Sequence, residues 1–269
     1  MVRGYCRGVR FLLSRRWLLF ALTVAALAWG ASLLGQWQFH RLEERRADNR
    51  LVAQNLDRPP VPLDDVLAVG RPAADDDEWR EVVVHGTWDD AHTIVVKYQT
   101  RDGAAGVDVV TPLRTEGGAA VLVDRGWMPT ENTGGTRPDV PGTTTGPVTV
   151  LGWVRVDGTG GSTDVTDLAT RAISSRAAAK VLPYPLYGGF LDLHTESPAP
   201  ATPLEPTELP DDTSEGPHFF YGLQWWFFGA LAVIGFGYLA YDEWRRAREQ
   251  RSEGAEHATV DRQHDPGDE

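Results

Sequence analysis

The sequence predicts a membrane protein in which two transmembrane α-helices flank an α+β extramembrane domain dominated by antiparallel β-strands. Three observations support this prediction. An apolar run without Asp, Glu, Lys or Arg lies near each end of the chain, at residues 17–34 and 218–241. Residues 35–217 between them are mostly polar. Within this middle, short β-branched runs are bounded by Gly, Pro and Asp, a pattern typical of antiparallel strands.

The first apolar run, residues 17–34, is just long enough to span a bilayer, because a hydrocarbon core of ~30 Å requires about 20 helical residues. Residues 1–16 precede it as a basic tail. A cleaved signal peptide is the alternative, because Ala26-Leu27-Ala28 has the small residues of a cleavage site. The run continues past that site to Leu34, which favours a retained helix.

The second apolar run, residues 218–241, sets the orientation of the chain. Lys and Arg are enriched on the cytoplasmic side of membrane helices. No basic residue lies close before this run, and four follow it, namely Arg245, Arg246, Arg248 and Arg251. We therefore expect both termini to be cytoplasmic and the central domain to be extracytoplasmic. Residues 242–269 are predicted to form a disordered cytoplasmic tail.

Charge and motif content exclude several functional classes. Residues 35–217 contain 16 Lys and Arg against 29 Asp and Glu, whereas a nucleic-acid partner requires a basic face. The single cysteine, Cys6, permits neither an intrachain disulfide nor a multi-cysteine metal site. The sequence has no phosphate-binding loop, dinucleotide fingerprint or nucleophile elbow. We therefore predict that the protein binds no nucleic acid and is not an enzyme.

The central domain is predicted from its strand and helix signals in chain order. Residues 38–55 are expected to continue the first helix out of the membrane, and residues 166–182 are predicted to be helical, with residues 197–217 forming a Pro-rich linker. Strands are predicted at residues 79–88, 93–99, 107–113, 119–127 and 148–156, with a last strand at 190–194. Because most of these runs follow one another closely, antiparallel pairing is favoured over parallel βαβ units.

His218, at the start of the second apolar run, shares a predicted helix face with three residues. Tyr221, Gly222 and Trp225 follow it at i+3, i+4 and i+7. Imidazole is a common axial ligand of haem iron, and aromatic rings can pack against a porphyrin. The alternative is an interfacial belt of Trp, Tyr and His, which membrane helices favour generally. The residues alone leave both interpretations open.

Five sequence elements follow one another between residues 35 and 241. They are Gly35-Gln-Trp37-Gln38-Phe-His-Arg41-Leu-Glu-Glu-Arg45, Glu78-Trp79-Arg80 through Gly86, Gly106 with Thr111-Pro112-Leu113, Val121-Leu-Val-Asp124-Arg125-Gly126-Trp127-Met-Pro129, and Gly216-Pro-His218-Phe-Phe-Tyr221-Gly-Leu-Gln224-Trp225. In this order, with a span on each side, they resemble the surfeit-locus (Shy-type) family of cytochrome c oxidase assembly factors, in an actinobacterial-like form. The chain departs from the family pattern at Arg45 for lysine, Gly216 for asparagine and Gly222 for alanine.

The resemblance implies a plasma-membrane protein that assists maturation of an aa3-type cytochrome c oxidase, through delivery or insertion of haem a. The implied partners are the oxidase catalytic subunit, the haem a synthesis machinery and the lipid bilayer. The family's candidate haem ligand corresponds to His218, with Tyr221 and Trp225 beside it. The alternative is a scaffold that stabilises oxidase assembly intermediates without binding haem.

The other motif residues have one functional and one structural interpretation each. Arg125 and Trp127 lie two apart near a strand end, where they could share a face and hold a propionate; alternatively, Trp127 closes the core beside a turn. Trp37, Gln38 and Arg41 lie near one side of the outer end of the first helix and could pack against the start of the second. Their alternative role is an interfacial anchor in which Arg41 extends towards the headgroups.

Overall fold

A computed structural model describes residues 10–130, 137–210 and 216–263 of the 269-residue chain. It divides into two compact units, Met1–Ala47 with Ser214–Glu269, and Asp48–Thr213. Most of the basic N-terminal tail, including Cys6, and the last six residues of the predicted C-terminal tail lie outside the described residues.

Two long helices make up the first unit. Helix α1 is Arg15–Leu56, whose residues from Asp48 onwards belong to the second unit, and helix α3 is His218–Gln263. Both are long and apolar enough to cross a membrane, which confirms the two-helix part of the predicted fold class. The predicted disordered tail is helical as far as Gln263, because this segment is rich in Glu, Arg and Ala, which have high helix propensity.

The apolar side chains of this unit point mostly outward. Phe220 is 72% exposed and Ile234 is 67% exposed. A contiguous apolar surface of this kind is unfavourable in water but suits a helix surrounded by lipid. The first unit is therefore built for a lipid environment.

The described residues of the second unit form eight strands, several 3-10 turns and one short α-helix, in addition to the end of α1. The strands are β1 Val61–Pro62, β2 Glu81–Trp88, β3 Ile94–Arg101, β4 Ala104–Thr115, β5 Ala120–Pro129, β6 Pro147–Arg155, β7 Ala169–Thr170 and β8 Leu186–Ser197. Helix α2, Ser175–Ala178, precedes β8. The strand predictions for β2 to β6 are confirmed, and the run predicted at residues 190–194 is the centre of the longer β8.

The strands form one sheet of order β1-β2-β6-β8-β5-β4-β3-β7, and an additional β2–β4 pairing closes five of them into a barrel. At this closure Gly86 pairs with Thr115 and Trp88 with Leu113. Antiparallel pairing dominates, as predicted, but β5 and β8 are parallel neighbours, with Asp124 opposite Asp192. The helical turn α2 lies in the connection between β6 and β8.

Strand β5 is buried on both faces, which explains why its sequence shows no polar alternation. Its alternate residues enter two different clusters. The barrel interior is filled by aliphatic side chains that include Val82, Val84, Leu113, Val121, Val123, Val150, Val154 and Leu191. The other face packs under α2 through Ala120, Leu122, Ala178, Leu182, Leu186 and Phe190.

The helix predicted over residues 166–182 is wrong for most of its length. Asp167 and Leu168 have φ values of 51° and 54°, in the left-handed region that a right-handed helix cannot include. Only Ser175–Ala178 is helical. The carboxylate of Asp157 accepts hydrogen bonds from the backbone N–H groups of Ser175 and Arg176, at 2.7 and 3.2 Å. This distant side chain caps a single turn at a fixed place.

Candidate functional site

Helices α1 and α3 approach each other closely at two glycines. A β-carbon at Gly35 would lie 2.3 Å from the indole ring of Trp226, and one at Gly222 would lie 2.9 Å from the ring of Phe39. The ring centroids of Phe39 and Trp226 are 4.9 Å apart. Small residues allow membrane helices to approach until aromatic rings pack directly on the backbone. Gly35 and Gly222 therefore fix the separation of the helices at this level.

Ring contacts along the two helices show that they run antiparallel. Trp17 and Phe20, near the start of α1, contact Phe236 at centroid distances of 5.8 and 5.3 Å. Further along α1, Phe39 contacts Phe219 at 6.2 Å, at the start of α3. The first turn of α3 thus lies beside α1 just beyond the first apolar run.

At this level His218 and Gln38 form a hydrogen bond, with 2.8 Å between His218 Nδ1 and Gln38 Oε1. Both side chains are half-buried. An amide oxygen carries no proton and can only accept, so the imidazole Nδ1–H is the donor. The bond joins residues 180 positions apart in the chain. It links two of the motif residues on which the family resemblance rests.

The edge of the His218 ring that carries Nε2 faces a backbone without a side chain. A β-carbon at Gly216 would lie 3.4 Å from His218 Cδ2 and 3.6 Å from Nε2. Gly216 has a φ of 67°, a left-handed conformation that favours glycine. Glycine at the position where the family pattern has asparagine therefore leaves this edge of the imidazole without a side-chain contact from residue 216.

The aromatic residues on the predicted face of α3 differ in exposure. Tyr221 is half-exposed, whereas Trp225 is half-buried and packs edge-to-face against Phe228 with centroids 6.2 Å apart. Gly222, on the same face, is buried beneath the ring of Phe39. The face predicted from helical spacing thus presents one exposed phenol beside the histidine, and its gap at glycine is filled by α1.

Trp37 and Arg41 do not share the contact that Gln38 makes with α3. Both are exposed, and the Arg41 guanidinium lies 6.0 Å from the centroid of the Trp37 ring. Arg41 also forms an ion pair of 2.9 Å with Glu44, one turn along the helix. Among the three motif residues of α1, Gln38 alone has a hydrogen bond to His218 in the described part of the chain.

In the second unit, Arg125 and Trp127 are both buried but contact different groups. The Arg125 guanidinium donates to the carbonyl oxygens of Pro141 and Gly142, at 3.0 and 3.3 Å, and lies 6.0 Å from the Trp88 ring centroid. Burial lowers the pKa of Arg125. These contacts attach the loop after β5 to the barrel and leave this guanidinium oriented towards carbonyl groups of its own chain.

Trp127 packs its ring on the backbone of Gly106, where a β-carbon would lie 2.2 Å from the indole. Its backbone N–H and C=O form a pair of hydrogen bonds with Glu205, at 2.8 and 3.0 Å. Its buried Nε1 has no hydrogen-bond partner among the residues that the structure describes. These contacts correspond to the structural interpretation of the Arg-Gly-Trp motif, in which Trp127 closes the sheet.

A row of charged side chains crosses the sheet, although the sequence analysis did not single it out. Arg101 (β3), Asp108 (β4), Asp124 (β5), Asp192 (β8) and Arg155 (β6) all line a depression of about 350 Å³. Arg155 binds Asp192 at 2.6 Å, and Arg101 lies 3.5 Å from Asp108. Asp124 lies between these two pairs. It accepts a hydrogen bond of 3.0 Å from the backbone N–H of Gly126.

The central carboxyls of this row have shifted protonation equilibria. Burial raises the pKa of Asp108 to about 6, although Arg101 opposes the shift. Burial and the neighbouring carboxylates Asp108 and Asp192 raise the pKa of Asp124 well above its ordinary value. Among the described residues, no group of three or more His, Cys, Asp or Glu side chains has the geometry of a metal site.

Comparison with known proteins assigns this chain to a family. The SURF1 family matches residues 25–230, which include both the Gln38–His218 pair and the barrel. Uncharacterized SURF1-like proteins of Mycobacterium bovis and Mycobacterium tuberculosis are 30% identical over 248 residues, covering 90% of this chain and 90% of theirs.

Proposed function

The chain belongs to the SURF1 family, whose members are in general cytochrome oxidase assembly factors rather than enzymes, and from this premise we propose that it holds haem a transiently at His218. The haem would then be transferred to the catalytic subunit of an aa3-type oxidase. The observation that carries this proposal is the geometry of His218: its Nδ1 donates to Gln38, and its Nε2 lies beside a glycine.

The residues present fit a haem group in a specific way. When bound, haem supplies an iron centre that accepts an imidazole nitrogen as an axial ligand. His218 offers Nε2 for that role, and the exposed Tyr221 ring lies one turn further along the same face of α3. The surrounding apolar side chains of α3 would exclude water from one side of a flat, apolar ligand.

The proposed location follows from the two helices and the charges beside them. The four arginines that follow the apolar part of α3 would lie on the cytoplasmic side of the plasma membrane. The start of α3, with His218, and the barrel would then face the extracytoplasmic side. In this orientation haem would be held at the outer rim of the bilayer, where an apolar ligand can remain partly in lipid.

The proposal is tested by measuring haem in the purified full-length protein from cells that synthesise haem a. We expect bound haem, seen by its Soret absorption, in the wild-type protein and at least a tenfold loss in His218→Ala. His40→Ala is the matched control, because His40 is an exposed histidine on α1 two residues beyond Gln38. It should retain the wild-type haem content.

Two results would contradict haem binding at His218. Equal haem content in wild-type and His218→Ala protein would exclude this histidine as the ligand. Absence of haem from every variant, with the oxidase catalytic subunit co-purifying in all of them, would instead indicate a scaffold that stabilises assembly intermediates without haem.

A further inference from the structure

We infer that Gln38 is the positioning residue for His218: its amide oxygen holds the imidazole as the Nδ1–H tautomer and directs the unprotonated Nε2 outward as a ligand. This inference rests on the proposed function only where it concerns haem. The hydrogen bond itself, 2.8 Å from Nδ1 to Oε1, belongs to the protein without any ligand.

The hydrogen bond to Gln38 determines which ring nitrogen of His218 carries the proton. A neutral imidazole carries one N–H, and the partner of one ring nitrogen decides which nitrogen holds it. Because Gln38 Oε1 can only accept, the proton lies on Nδ1 and the lone pair lies on Nε2. A metal-ligating histidine is usually held in this way by a partner at its other nitrogen.

The packing of the two helices sets the orientation of the His218 ring. Gln38 lies just under one turn beyond Gly35, whose backbone carries the Trp226 ring, and directly before Phe39, which packs on Gly222. These two contacts fix the rotation and separation of the helices on which the hydrogen-bonded pair stands. The imidazole plane is thus set by a rigid pair of helices.

The hydrogen-bond partner of His218 is uncharged. Many ligating histidines donate to a carboxylate, which increases the basicity of the ring and strengthens the metal bond. Here the partner is a neutral amide, and the first carboxylates that follow Gln38 along α1, Glu43 and Glu44, interact with His40 and Arg41. An imidazole with a neutral partner is a weaker donor, and a weaker bond to iron suits a ligand that must be released.

The tautomer can be read directly in the haem-free, full-length protein in detergent by ¹⁵N NMR of labelled histidine. The signals of His218 are identified by their loss in His218→Asn. We expect Nδ1 to be protonated and Nε2 to be bare in the neutral ring of the wild-type protein. In Gln38→Leu the population should move towards the Nε2–H tautomer. A bare Nδ1 in the wild-type protein, or identical spectra in Gln38→Leu, would overturn the inference.

Haem titration provides the second readout. Gln38→Leu should weaken haem affinity by about 10- to 100-fold, the usual effect of removing such a partner. Gln38→Glu should retain binding and lower the reduction potential of the bound haem, because a carboxylate partner makes the imidazole a stronger donor. A purely structural role for Gln38 would instead leave the potential of Gln38→Glu at its wild-type value, and that result would refute the positioning role.

Gln36→Leu is the matched control, because Gln36 is an exposed glutamine on the same helix. It should leave both the tautomer and the affinity unchanged. Failure of the proposed function is distinguishable from failure of this inference. Haem retained by His218→Ala would disprove the haem site, whereas the NMR result for the haem-free protein would still decide whether Gln38 sets the tautomer.

Discussion

The helical unit and the barrel use apolar side chains in opposite ways. In the barrel Leu113 and Leu191 are completely buried, whereas Phe220 and Ile234 of α3 are more than half exposed. The polar groups are also distributed differently. Charged groups cross the sheet of the second unit as a row, whereas in the helix pair an amide of α1 and an imidazole of α3 are hydrogen-bonded. The two units are built for different solvents. An exposed apolar side chain is unfavourable in the barrel unit, which is built for water, and favourable in the helical unit, which is built for lipid.

The largest effect is expected from placing a charge inside the barrel. Leu113→Asp would leave a carboxylate without a partner among aliphatic side chains, which costs several kcal/mol. Because a domain is stable by only about 5–15 kcal/mol, we expect the second unit to unfold or become strongly destabilised. Limited proteolysis of the full-length protein measures this. Wild-type protease resistance in Leu113→Asp would contradict the assigned core.

A charge on the exposed surface distinguishes the two solvents. Ile234→Asp should reduce membrane insertion by about 2.5–3.5 kcal/mol, the cost of Asp at the centre of a membrane helix. In the barrel unit, Leu209→Asp replaces a side chain that is 52% exposed and should change stability by at most about 0.5 kcal/mol. The fraction of protein that resists alkaline extraction from membranes measures the first effect. Equal, small effects at both sites would show that α3 is not in lipid.

The close approach of the two helices is tested by adding volume at its glycines. Gly35→Leu should separate α1 from α3 at a cost of about 1–3 kcal/mol, because Trp226 occupies the space that a side chain would need. Gly30→Leu on the same helix is the control, since nothing lies within 4 Å of a β-carbon there.

The helix separation is measured by disulfide cross-linking. In a Cys6→Ser background, cysteines introduced by Ala31→Cys and Gly229→Cys should cross-link, because a β-carbon at Gly229 would lie 3.3 Å from Ala31 Cβ. Gly35→Leu should reduce the yield, and Gly30→Leu should leave it unchanged. If Gly35→Leu cross-links at the wild-type rate, the glycine contact does not control the pairing.

The smallest effect is expected from the charged row and depends on pH. The folded-state pKa of Asp108 is raised from 3.8 to about 6, and that of Asp124 is also raised, so the folded state binds protons more tightly than the unfolded state. The stabilisation that protonated Asp108 contributes is complete below its unfolded-state pKa of 3.8 and is lost as the pH rises through about 6. The melting temperature of the second unit should therefore rise by a few degrees as the pH is lowered from 7.5 to 5.

An uncharged side chain at residue 124 should weaken the pH dependence of the melting temperature. Asp124→Asn removes one of the titrating carboxyls of the row and should flatten the pH profile, whereas Asp139→Asn, at an exposed position, should leave it intact. The measurement is a series of thermal melts of the full-length protein in detergent. A melting temperature that falls as the pH is lowered from 7.5 to 5 would contradict the raised pKa values of Asp108 and Asp124.

Sequence predicted most of the fold because the signals were local. The two helices follow from uninterrupted apolar runs, and β2 to β6 follow from β-branched segments between turn residues. The prediction of a helix over residues 166–182 is wrong because Asp167 and Leu168 adopt left-handed conformations and because the capping carboxylate of Asp157 sets the start of the helical turn at Ser175. Asp157 lies outside the segment whose composition suggested a helix, and composition does not show that two residues inside it are left-handed.

The candidate site was predictable in its residues but not in its contacts. His218 and Gln38 both stand out in the sequence. They are 180 positions apart, however, and their hydrogen bond depends on the relative rotation of the two helices that carry them. The charged row was missed for a similar reason. Each of its residues comes from a different strand, and only the register of the sheet brings them together. Motif resemblance supplied the members of the site, and packing supplied their geometry.

The position of β8 between β6 and β5 has a consequence for the order in which the chain can fold during synthesis. Strands β5 and β6 leave the ribosome before β8, and each lacks β8 as one of its two barrel neighbours until residue 197 has been made. Until then both present unpaired backbone edges, the kind of surface that other chains can join. The barrel is therefore completed by its last strand, shortly before α3 is synthesised, and a nascent chain that stalls earlier would be a substrate for chaperones or proteases.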